Sequence, residues 1–265
     1  MNALSWMVVC EKELRDVLRR PGLIGTMGVP LAILTLLSVL ALYAAGMDGA
    51  ASQMPPLRLR PASLAGASPV ELAQYAALSP FFLMWLIFPV TIPSTLAAYS
   101  IVGEKEEGTL EPLLATPLGT AELLLGKALA AALPGVLLVW VPWLLTLAAG
   151  YALTTPRVLA ATLLSPLWLT GMLLLAPALT FFTVMLLVVV SSRVNDVRTA
   201  NQIGGTLVIP LVVLFVSQVG GGLSFGHSAV IGAFGFVLAA GLAALAVAVR
   251  LFQRESILVR WKQSR

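Results

Sequence analysis

The longest charged interruption between apolar runs is the stretch GEKEEGTLEPLLATPLGTAELLLGK, from Gly103 to Lys127. Glu104, Lys105, Glu106 and Glu107 are consecutive, and Glu111 follows. Elsewhere reactive residues are sparse. The only histidine, His227, falls in a predicted outer turn, where it reads as a solvated residue and cannot make a metal site alone. Aspartate occurs only at 16, 48 and 196, so no aspartate pair can hold Mg²⁺ for prenyl or phosphoryl transfer. No serine, histidine and acid share a predicted face. Gly119 to Lys127 ends in Gly-Lys, as a phosphate loop does. The G-x-x-x-x-G-K-S/T spacing is not met, because six residues separate the glycines and Ala128 follows the lysine. These patterns imply no catalytic centre, no metal site and no ATP site on this chain. Cys10 is the single cysteine, which excludes an intrachain disulfide. Met7, Val8 and Val9 before it do not make a lipid-attachment signal.

The elements that carry these residues are apolar. Of 265 residues, 59% are hydrophobic and 11% charged, against roughly 25% charged in soluble domains. Mean hydropathy is +0.96. The composition predicts an all-α, polytopic membrane protein. The net charge of +4 then reads as basic residues on one side of a membrane, not as a nucleic-acid surface. No cleavable signal peptide is expected, because charged residues within 11–20 separate the N-terminus from the first apolar run.

Residues 1–20 read as an amphipathic helix. Leu4, Met7, Cys10, Leu14, Val17 and Leu18 share one side. The pattern predicts an interfacial helix, with Lys12, Arg15, Arg19 and Arg20 toward anionic headgroups. Six spans follow at 22–46, 79–102, 121–150, 157–191, 203–219 and 229–250. The fourth exceeds one crossing, so it is expected to tilt, kink or project into the cytoplasm. Residues 47–78 make a polar external segment too short for its own core, with a short surface helix expected near Pro69–Leu78. Residues 103–119 and 192–202 are polar loops, and 251–265 is a basic tail.

Six spans put both termini on one side. That side holds Lys12, Arg15, Arg19, Arg20, Lys105, Lys127, Arg193, Arg198 and five basic residues of the C-terminal stretch, from Arg250 to Arg265. The other holds Arg58, Arg60 and Arg157, a division of 13 against 3 among the 16 basic residues. The excess predicts cytoplasmic termini and a cytoplasmic 103–119 loop.

Glutamates contribute little to orientation, so their crowding in this loop needs another reason. Gly103 and Gly108 bracket the charges. Thr109 can cap a short helix with Pro112 in its first turn, and Leu110, Leu113 and Leu114 form an apolar group beside the acids. A capped amphipathic helix of this kind suits a groove on a soluble partner. Span centres carry no charge, which argues against a proton- or ion-coupled transporter. Five spans contain proline, and Pro89, Pro93, Pro177 and Pro210 are candidate hinges.

The segment closely resembles the Glu-Lys/Arg-Glu-x-Gly-Thr-Leu-Glu-x-Leu-Leu-x-Ser/Thr-Pro stretch of ABC-2 type transporter permeases. The Leu-Leu-x-Gly-Lys approach to the third span is similar too. SSRVNDVRTANQIGGTLVIPL, after the fourth span, is similar to that family's next cytoplasmic loop. The resemblance implies a coupling helix between spans 2 and 3, with Glu104, Glu106, Glu107, Thr109, Leu110 and Glu111 docking on an ABC ATPase subunit. It implies a permease dimer with two such ATPases, which carry the ATP and Mg, in the inner (plasma) membrane of a prokaryotic cell. It also implies alternating access that moves substrate outward along spans 2 and 5, making Phe81, Phe82, Trp85, Phe88 and Phe215 candidate path residues. An uncharged path suits a hydrophobic, lipid-like or drug-like substrate. The other readings are a membrane anchor or regulatory subunit without transport, and a secondary transporter or channel.

Overall fold

The computed structural model describes Glu11, Arg15 and residues 21–47, 62–99, 120–191, 193–194, 196–219 and 226–251. Over these residues the fold is all-helical, and six helices are long and apolar enough to cross a membrane. Helix α1, Pro21–Ala45, has 25 residues, none charged. At about 1.5 Å per residue it spans about 37 Å, enough for the roughly 30 Å hydrocarbon layer.

Helix α2, Pro69–Leu78, starts at a complete capping box. The Glu71 amide donates to Ser68 Oγ (3.2 Å), and the Ser68 amide donates to Glu71 Oε2 (2.8 Å). The sequence reading lays this helix on the membrane surface, apart from the second span. Here the backbone stays helical through Ser79 (φ −56°, ψ −36°) and Pro80 (φ −67°, ψ −27°) into α3, Phe81–Ala97. Pro80 has no N–H for the Ala76 carbonyl. The Ser79 hydroxyl donates to that carbonyl instead, at 3.3 Å, so the turn survives the proline. Residues 69–97 thus make one span of 29 residues.

Helix α4, Thr120–Leu153, has 34 residues, or about 51 Å, and overreaches the bilayer. Its last carbonyl, on Leu153, accepts from the buried Gln74 side chain of α2 at 2.9 Å. The stretch expected as a single span at 157–191 is divided. Helix α5, Pro156–Ala161, is a short piece, and the chain leaves helical geometry at Thr162 (φ −116°, ψ −106°). Ser165 is extended (ψ 153°), as a residue before proline prefers to be. It caps α6, Pro166–Thr170, by accepting from the Trp168 amide. A π turn over Gly171–Leu175 joins α6 to α7, Ala176–Ser191.

The fifth span starts earlier than its expected 203. Asp196 caps α8, Val197–Thr206, which meets α9, Val208–Val219, at Leu207. Pro210, without an N–H for the Thr206 carbonyl, accounts for the tightened turn there. Helix α10, His227–Leu251, is the sixth span.

The core has two levels. Met27, Leu31, Leu96, Ala128, Val188, Ala200 and Ala248 pack at the end where the second span finishes and the third begins. Leu42, Leu78, Phe82, Trp143, Leu163, Trp168 and Val230 pack at the other. Spans 2 and 4 form the centre. Span 5 lies against span 2, and span 6 against span 4. Over an 18-residue apolar window of each, 56% of residues are buried in span 4 but 11% in spans 5 and 6, which leaves both peripheral helices with broad apolar faces.

Candidate functional site

Three aromatic rings meet where spans 2 and 4 cross. Phe82 lies tilted on Trp168 at 5.3 Å between centroids, and Trp85 meets Trp168 edge-on at 5.6 Å. Helical spacing places Phe82 and Trp85 one turn apart on α3, and the Ser165 cap aims Trp168 between them. All three rings are buried. The approach requires Gly171. A Cβ added there would lie 2.6 Å from Phe82 Cζ and closer still to Cε2. Tilted and edge-on ring pairs of this kind add about 0.5–1.5 kcal/mol each beyond burial.

The π turn sits directly below. The Ala176 N–H reaches back to the Gly171 carbonyl. In that register the next amide would serve the Met172 carbonyl, but the next residue is Pro177. The Trp140 indole of α4 supplies the donor, with Nε1 2.8 Å from the Met172 carbonyl. A proline-freed carbonyl inside a membrane span is satisfied by a neighbouring helix.

Beyond the π turn, a Cβ on Gly135 of α4 would lie 2.7 Å from Pro93 Cγ of α3 and 3.5 Å from Thr180 Cγ2 of α7. One glycine therefore lets three spans converge on a proline. Gly204 of α8 similarly meets Ser94 and Leu187. Thr95 Oγ1 stands 3.3 Å from Asn201 Oδ1, joining spans 2 and 5. Every buried polar side chain among the described residues is neutral. Trp85 Nε1, Trp143 Nε1, Thr180 Oγ1 and Thr183 Oγ1 are buried without a hydrogen-bond partner. No group of three potential metal ligands gathers among the described residues. The site offers aromatic faces and hydroxyls, and among the described residues no buried acid or base.

The structure separates the five path candidates. Phe82 and Trp85 are buried in the ring cluster, while Phe81, Phe88 and Phe215 are half-buried and retain surface. Among the candidate hinges, Pro89 and Pro93 are buried within α3, Pro177 follows the π turn, and Pro210 is exposed on α9. Arg15 is exposed and pairs with Glu11 at 2.6 Å. Lys12, Arg19, Arg20, Glu104, Glu106, Glu107, Thr109, Leu110 and Glu111 lie outside the described residues. Trp140, Trp168, Gly171 and Thr180 escape sequence reasoning. Only the Pro166 and Pro177 pair hints at a broken helix there.

Asp196 anchors the polar end of the fifth span. Its carboxylate accepts from Thr199 Oγ1 (2.7 Å), the Thr199 amide (2.9 Å) and the Arg198 amide (3.3 Å). These bonds hold its pKa below the ordinary carboxylate value.

Compared with known proteins, residues 7–230 match a family model described as "ABC-2 family transporter protein". No curated protein matches the chain.

Proposed function

The chain belongs to the ABC-2 transporter family and is a membrane-spanning permease, and from that premise we propose that it forms the membrane half of an ATP-driven exporter. Two copies pair, and each docks a separate ABC ATPase subunit that carries ATP and Mg. Docking uses the 103–119 loop, through Glu104, Glu106, Glu107, Thr109, Leu110 and Glu111. The observation that carries this reading is the family match over residues 7–230, which includes that loop. The chain sits in the inner membrane of a prokaryotic cell with its termini in the cytoplasm, as the basic residues favour.

ATP binding closes the ATPases, and the docked loops carry the motion into spans 2 and 3. Access alternates, and substrate leaves outward between the two copies. Few residues of spans 5 and 6 are fully buried, which leaves area for a second copy and for lipid. Phe81, Phe88 and Phe215 keep surface that a substrate could meet, with Phe82 and Trp85 packed behind them. The neutral, aromatic interior supports a hydrophobic, lipid-like or drug-like substrate over a small ion. Pro89, Pro93, Pro177 and Pro210 are the bending points.

Reconstitution with the ATPase in proteoliposomes tests the reading. ATP-dependent movement of a fluorescent lipid-like probe, stopped by vanadate, is expected. Movement driven by an ion gradient without ATP would overturn it.

A further inference from the structure

We propose that the π turn at Gly171–Leu175 is a two-register hinge and that the Trp140 indole is its clasp. The Met172 carbonyl has a different partner in each register. In the present π register the Ala176 N–H goes to the Gly171 carbonyl, and the Met172 carbonyl takes Trp140 Nε1 at 2.8 Å. In an α register the Ala176 N–H would take the Met172 carbonyl itself. The indole would then compete for an acceptor already in use. The α register also sets the Pro177 ring against the Leu173 carbonyl, the clash that proline brings to any helix interior. Each register carries one defect, and the clasp repairs the defect of the π form. Two states that differ by a single replaceable bond form a bistable element.

Rewinding the turn rotates what lies outside it. One residue of α-helix is about 100° of rotation. The outer segment is α6, which carries Trp168 and its contacts with Phe82 and Trp85. Gly171, the first residue of the turn, has no side chain to hold its place against Phe82. The hinge therefore changes the span 2–span 4 contact at the outer level while α7 stays packed below. Assigning this motion to the transport cycle rests on the exporter reading. The two-register hinge itself does not.

Double electron–electron resonance tests both parts. Spin labels go on the exposed positions of Leu174→Cys in the turn and Leu144→Cys on the clasp helix, in a Cys10→Ser background. The first measurement uses the permease alone in nanodiscs. The parent protein should give one main distance. Trp140→Phe keeps an aromatic ring and loses the donor, and it should raise a second distance by about three- to twentyfold in population ratio, the span of interhelical bonds in a membrane. Pro177→Ala removes the α-register clash and should favour that same second distance. If Pro177→Ala does not fold, Trp140→Phe alone decides. A single unchanged distance in Trp140→Phe overturns the hinge. The second measurement adds the ATPase with ATP and vanadate. The second distance should then appear in the parent complex. Its absence in a complex that hydrolyses ATP overturns the role in transport, whereas a complex that never hydrolyses ATP counts against the exporter reading and leaves the first measurement standing.

Discussion

Replacing Gly171 with alanine tests the crossing of spans 2 and 4 at the aromatic cluster. The new Cβ would sit 2.6 Å from Phe82 Cζ, where carbon atoms prefer about 3.5–4.0 Å. The ring would have to retreat by about 1 Å. That shift disturbs the ring cluster, because Trp168 packs on Phe82 at 5.3 Å and on Trp85 at 5.6 Å. Overpacking of this kind costs about 1–3 kcal/mol, offset by up to about 1 kcal/mol for alanine's better helix propensity. Lipid replaces water around these spans, so the cost is a packing cost. The ring can be removed to expose the sign. In the Phe82→Ala background the Cβ fills space and no longer clashes, and Gly171→Ala should turn neutral or stabilising. A four-corner cycle, followed by reversible unfolding in mixed micelles, should give a favourable coupling on the order of 1–2 kcal/mol. Equal effects of Gly171→Ala in both backgrounds would refute the packing argument.

Two further perturbations follow from the same geometry. Ser38 Oγ and Thr146 Oγ1 lie 2.9 Å apart, both buried, and Ser38 already donates to the Thr35 carbonyl, so Thr146 is the donor between them. A Ser38→Ala, Thr146→Val cycle should show a coupling of about 0.6 kcal/mol and no more than about 1.7 kcal/mol, again by micelle unfolding. Asp196 has a folded pKa below its ordinary 3.8, so its contribution is fully present above that value and is lost as pH falls through the lowered one. Thermal melts from pH 6 downward should show an acid-dependent loss that Asp196→Asn reduces.

Much of the fold was legible because hydropathy decides which stretches can sit in lipid. Where a helix stops is decided by neighbours, and two prolines show it. Pro80 invites the reading of a helix start, yet the helix passes through it because the Ser79 hydroxyl covers the Ala76 carbonyl. Pro166 invites the reading of a kink inside one long span, yet it starts a new helix because Ser165 is extended and caps it. The aromatic residues on span 2 were visible as a group, but their partners were not. Phe82 finds Trp168 only through the rotation of both helices and the missing side chain at Gly171. Trp140 gains its role from a proline on another span, a relation that no local spacing encodes.

On the function proposed above, a separate ATPase drives this permease through the 103–119 loop. The most direct test is the affinity of the reconstituted permease for its ABC ATPase, measured with Glu104→Lys, Glu106→Lys and Glu107→Lys combined. Losing charge pairs at a docking surface should weaken binding by about tenfold or more, with ATP-driven transport falling in step while the permease still folds. Unchanged affinity and unchanged transport in the triple variant would show that the loop does not dock the ATPase.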